Sequence, residues 1–228
     1  MLAATKITIG EINVRQELSV LGLLLEDLIG AILFGETHRG LCSDDDPLTF
    51  PGTTAWARTL RGLRENDRLW NLGWRKSRED NFETLVNPDH TLAICVMTGD
   101  RATGKYNPDF PNVKPRPKNP KGIKLQRAIS VNTWLFPELA ADADVRNARL
   151  RALDHRATWI LLIHRDKGIN TDLVYAELSL PSEFDGHQVT DWGHRIVFPP
   201  LEVEPTPNVR GDSDDESEEI FVAVEKIS

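Results

Sequence analysis

The stretch "GDRATGKY", Gly99–Tyr106, follows the apolar run Leu92–Thr98 and raises phosphate binding first. It matches G-x-x-x-x-G-K in every position but leaves Tyr106 where a small hydroxyl should hold magnesium. A phosphate-cradling loop must also open onto a helix, whose N-terminus supplies donors and a favourable dipole. Here prolines follow at 108, 111, 115, 117 and 120, and no α-helix propagates through that spacing. The expectation is a turn at a strand edge, with no bound nucleotide.

A second constellation lies in "TWILLIHRDKGINTDLVYAELSLP", where two apolar runs flank a polar segment and predict a β-hairpin. Asp166 and Asp172 fall near its turn, and Glu177 lies further along with Tyr175 and Ser179 on one strand face. Metal-dependent nucleases of the restriction type place an Asp and a Glu-x-Lys on such a hairpin, often with a helix carboxylate for which Glu26 or Asp27 would serve. The carboxylates then hold Mg²⁺ and the lysine activates water. In this chain the lysine position is Ser179. A divergent nuclease is therefore the alternative reading, and Mg²⁺ enters only with it. The leading reading assigns no catalytic residue, cofactor or metal.

The six histidines, at 38, 90, 155, 164, 187 and 194, show no H-E-x-x-H or comparable ligand spacing. His187, Asp191 and His194 cluster before a strand, but no fourth ligand accompanies them. No serine sits in a nucleophile elbow. Cys42 and Cys95, the two cysteines, suit a reducing compartment.

Charge is the more informative signal. From Arg101 to Arg127 eight basic residues face one acid, Asp109, whereas the whole chain of 228 residues carries −8. Prolines keep that stretch extended, so it reads as a basic arm able to track phosphates. Its candidate contacts are Lys105, Lys114, Arg116, Lys118, Lys121 and Lys124. A predicted amphipathic helix over 54–74 adds Arg58, Arg61, Arg64 and Arg68 as an outer stripe, opposite Trp56, Leu60, Leu63, Trp70 and Trp74. Arg75, Lys76 and Arg78 follow it.

These groups need a scaffold. Residues 5–9 alternate as a strand, and Asn13–Phe34 reads as one apolar helix with a narrow polar edge. Glu26 and Asp27, adjacent at its centre, exclude a membrane span. Further strands are expected at Leu92–Thr98, Ile129–Thr133 and "HRIVFPPLEV", with a helix after Pro137. Few βαβ alternations and one clear hairpin favour an α+β fold: a mostly antiparallel sheet of about five to seven strands with a buried N-terminal helix. Apolar residues at 40% and charged residues at 27% fit one globular domain over 1–204, with the arm at about 101–127. Residues 205–219 read as an acidic disordered segment, and 220–228 as a terminal strand returning to the sheet.

The leading expectation is a cytoplasmic, non-catalytic, nucleic-acid-associated subunit of a larger protein assembly. It would bind DNA or RNA without sequence preference, alongside protein partners, and the acidic segment would compete with the phosphate contact. A third reading is a protein–protein adaptor with segregated charge.

Overall fold

The computed structural model describes residues 5–78, 82–110, 113–118, 129, 132, 156–168 and 171–205. They form an α+β fold: one mixed, mostly antiparallel sheet of eight strands with four helices. In chain order these are β1 (Lys6–Thr8), α1 (Glu11–Val20), α2 (Leu25–Gly40), α3 (Phe50–Arg64), α4 (Asp67–Asn71), β2 (Arg75–Ser77), β3 (Thr84–Val86), β4 (Leu92–Thr98), β5 (Ala157–Asp166), β6 (Asp172–Phe184), β7 (Val189–Val197) and β8 (Leu201–Val203). The sheet order is β1-β7-β6-β5-β4-β3-β2, with β8 paired to β6 beyond the end of β7. Two pairs are parallel, β1 with β7 and β4 with β5. No single helix among the described residues is long and apolar enough to cross a membrane.

The predicted hairpin is present as β5 and β6, in register from Ile160 opposite Ser179 to Asp166 opposite Leu173. Period-two alternation then sorts its side chains between two faces. On one face Trp159, Leu161, Val174, Ala176, Leu178 and Leu180 meet Val14, Leu18, Leu28, Ile32, Leu60 and Leu63 from the helices. On the other, Cys95, Met97, Ile160, Leu162 and Trp192 form a second apolar layer with Ile129.

Three sequence expectations change. The single helix over 13–34 is two helices bent by 101°. Leu23 and Gly22 donate back to the carbonyls of Leu18 and Ser19, a paired closure that requires the left-handed backbone of Gly22, φ 74°. Asp27, which the sequence placed mid-helix, sits in the first turn of α2 and accepts from the backbone N–H of Leu24 at 3.0 Å. The predicted helix over 54–74 likewise ends at Arg64 and restarts at Asp67, with the Asn66 side chain capping Leu69 N–H. Of the predicted strand 129–133, the described residues Ile129 and Asn132 are helical. The helix expected after Pro137, the acidic segment and the terminal strand lie outside the described residues; of the acidic segment only Pro205 falls within them.

Candidate functional site

The phosphate-loop look-alike is packed down on the second face of the sheet. Gly104 approaches β6 so closely that a Cβ there would stand 2.7 Å from the backbone nitrogen of Ala176, and its φ is +66°. Both facts call for glycine at this position. The backbone N–H of Gly104, which a phosphate site would aim at its ligand, instead donates to Glu177 Oε2 at 2.9 Å.

Glu177 is fully buried and Arg195 is 2% exposed. Arg195 donates from Nε to Oε1 at 3.0 Å and from Nη2 to Oε2 at 2.6 Å, and the Ser179 hydroxyl donates to Oε1 at 2.6 Å. Arg195 Nη2 also reaches the carbonyl of Lys105 at 3.0 Å. The pair therefore ties β6, β7 and the loop together. Ser179, standing where a nuclease lysine would be, completes the carboxylate's partners.

The other two hairpin carboxylates do not join it. Asp166 lies on the same sheet face, near the hairpin end, and accepts from Lys105 Nζ at 2.5 Å while His164 Nε2 sits 2.6 Å away. Burial pushes its carboxyl up, but the hydrogen bonds and charges of Lys105 and His164 together hold it below the usual range. The Lys105 ammonium also lies 4.2 Å from the Tyr175 ring centroid. Asp172 is on the opposite face, bound by Arg165 at 2.7 Å. Of the two aspartates considered with Glu177 for the nuclease alternative, strand alternation thus sends Asp172 to the opposite face and leaves Asp166 on the same one. Among the described residues no group of three His, Cys, Asp or Glu side chains is placed to hold a metal ion.

The predicted basic stripe is also redistributed. Arg64 turns inward to Glu83 at 2.6 Å and to the carbonyls of Ser77 and Thr84. Arg68 binds the buried carboxylate of Asp27, which also accepts from Asn66 at 3.1 Å. The break between α3 and α4 is what rotates Arg68 off the stripe. Arg61 remains on the outer surface beside Glu65, and Arg58 is half-buried one turn earlier.

The described part of the arm is docked at both ends, through 103–105 and 114–118, while 106–110 are exposed. Asp100 N–H donates to the Arg116 carbonyl at 3.0 Å, and Lys118 N–H to the Thr98 carbonyl at 2.7 Å. The Trp192 indole donates to the Pro115 carbonyl at 3.0 Å, and Lys114 pairs with Asp191 at 2.7 Å. Arg116 and Lys118 are exposed, whereas Lys121 and Lys124 lie outside the described residues.

One surface feature combines cation and aromatic. Trp70, expected on the buried face, is 54% exposed, and the Arg75 guanidinium stacks over it at 4.0 Å from the ring centroid. Arg75 and Lys76 are exposed on the edge strand β2, with Arg78 just beyond it. The indole is exposed because α4 is a separate five-residue helix that buries Leu69 instead.

Two buried polar centres gave no sequence motif. Arg165, near the end of β5, binds Glu36 at 2.5 Å and Asp172 at 2.7 Å. Asn132 donates to the carbonyls of Thr158 and Pro181 and accepts from Thr158 N–H at 2.7 Å, clamping β5 to β6. Their only sequence signal is a polar side chain at an inward position of an apolar pattern.

No family model, curated protein or solved structure matches this chain.

Proposed function

We propose that the protein is a non-catalytic, nucleic-acid-associated subunit that contacts phosphate without reading base sequence. The observation that carries this reading is the Trp70–Arg75 stack on the edge strand, flanked by Lys76 and Arg78. An exposed ring and a ring of nearby cations offer stacking and phosphate neutralisation together, the two contributions that hold single strands. Arg58 and Arg61 on α3, and Arg116 and Lys118 on the docked loop, supply further cations. Arg64, Arg68, Lys105 and Lys114 already hold carboxylates, so their share in phosphate binding is reduced. Arg61 and Arg78 also pair, with Glu65 and Glu83, but as exposed side chains whose surface ion pairs are weak and open to exchange for phosphate.

The commitment of Glu177 and Asp172 to buried arginines favours a binder over the nuclease alternative. Titration with a single-stranded oligonucleotide should quench Trp70 fluorescence, using Trp70→Phe to isolate its signal from the other five tryptophans. A titration curve identical in the two proteins would remove the stack from the interface.

A further inference from the structure

Helices α2 and α3 form an antiparallel pair whose two ends carry opposite charge. Gly35 packs on Ala55 and Thr59, and Gly62 on Ala31, so closely that a Cβ at either would stand within 3.1 Å of the facing helix. The 15 residues of α3 run about 22 Å, which keeps the segment that enters it apart from the segment that leaves it.

The entering segment is the connector 41–49. Cys42 is buried and its N–H donates to the Arg39 carbonyl at 3.0 Å, while the Ser43 N–H donates to Asp46 Oδ2 at 2.8 Å. Those anchors turn Leu41 and Leu48 outwards, 76% and 66% exposed, with Phe50 exposed beside them. Asp44 and Asp45 are exposed between the leucines, and neither carboxylate has a partner among the described residues.

The leaving segment is α4 with β2. Trp70 and Leu72 are exposed there, followed by Arg75 and Lys76. Arg75 donates to the carbonyls of Trp70 and Trp74 at 2.8 Å, and neither cation holds a carboxylate among the described residues. One end thus offers apolar side chains with two unpaired acids, and the other offers apolar side chains with two cations that lack an acid. Apolar surface rimmed by charge marks an interaction site, and the sign of the rim selects the partner. Within one chain the two ends cannot meet.

We propose that the 41–50 end of one copy docks on the Trp70–Arg75 end of a second copy. Asp44 and Asp45 then face Arg75 and Lys76, and Leu41 and Leu48 cover Trp70 and Leu72. The contact joins unlike surfaces, so copies add head to tail until a ring closes or affinity limits the chain. It occupies the surface assigned above to phosphate, with carboxylates in place of phosphates, but it forms without nucleic acid and stands or falls apart from that reading.

The test is sedimentation velocity of the full chain, freed of nucleic acid, over a range of protein concentration. Two charge pairs and a few apolar side chains make a small interface, so association is expected at about 10–100 µM protein in about 50 mM salt, and about tenfold weaker in about 0.5 M salt. Asp44→Lys/Asp45→Lys and Arg75→Glu/Lys76→Glu, all at exposed positions, should each be monomeric alone, because like charges then meet. Mixed in equal amounts the two variants should associate again, which a merely misfolded variant would not do. A parent chain that stays monomeric throughout, association that persists in either variant alone, or a mixture that stays monomeric would overturn the proposal.

Discussion

Arg195 grips both oxygens of Glu177 in a bidentate pair sealed between the sheet and the 99–105 loop. Removing one partner leaves the other charged and buried, which typically costs about 3–5 kcal/mol. Glu177→Gln and Arg195→Met should each lower unfolding stability by that order. The double variant Glu177→Leu/Arg195→Met should be less destabilised than the sum of the singles, because neither charge then lacks a partner. Additive losses in urea unfolding would mean that the two residues act separately.

Gly104 is the second support of that loop. Gly104→Ala forces a left-handed backbone and a Cβ against Ala176, so a loss of about 1–3 kcal/mol is expected. Because the contact is local to the loop, amide exchange should rise first at Thr103–Lys105. An alanine variant as stable as the parent protein would contradict the close packing of the loop on β6.

The sheet register and the loop were unequally legible in the sequence. The β5–β6 hairpin could be read because two long apolar runs flank one polar turn, whereas the strand expected over 194–203 is two, β7 beginning earlier at Val189 and β8 following Pro199 and Pro200, which break the ladder. The break at Gly22 was missed because the apolar pattern continues across it; the signal was Gly22 followed by Asp27, a helix stop and then a first-turn acid. The basic stripe on α3 was read correctly as helical spacing as far as Arg64. Which arginines turn inward depends on Asp27 and Glu83, residues 41 and 19 positions away from Arg68 and Arg64, and such pairing has no local signature. Glu177 was singled out for its residue type, but its partner Arg195 lies on the next strand and carried no motif.

Acid should weaken the β1–β7 junction through His194. Burial pushes its imidazole down to about 4, with Lys6 adding to the shift and Glu17 opposing it. The Thr8 hydroxyl at 3.0 Å and the Trp159 ring complete its surroundings. In the unfolded chain the ring titrates near 6.5, so between those values the unfolded state binds the proton that the folded state refuses. Stability from this group is therefore complete above about pH 6.5 and is lost as pH falls towards 4. Allowing for solvent screening at the ring's open edge, the loss is about 1–2 kcal/mol. His194→Gln should flatten that part of the stability profile, and an unchanged profile would assign the acid sensitivity elsewhere.

Lys105 is the residue that would touch the outer phosphates if Gly99–Tyr106 bound a nucleotide. With its ammonium on Asp166 and the Gly104 N–H on Glu177, ATP and GTP should bind neither the parent protein nor Lys105→Ala detectably in calorimetry. Micromolar ATP binding that Lys105→Ala abolishes would contradict the docked loop.

Phosphate contact by the Trp70–Arg75 surface, as proposed, would make binding depend on salt through counterion release. Anisotropy titrations of an unstructured single strand, from about 50 to 200 mM salt, should give log K falling with log salt by roughly 0.7 per phosphate neutralised. Replacing Arg75, Lys76 and Arg78 with alanine should weaken binding and flatten that slope by about two units, equally for strands of different sequence. No measurable binding of the parent protein at about 50 mM salt, or a slope untouched by the triple replacement, would contradict it.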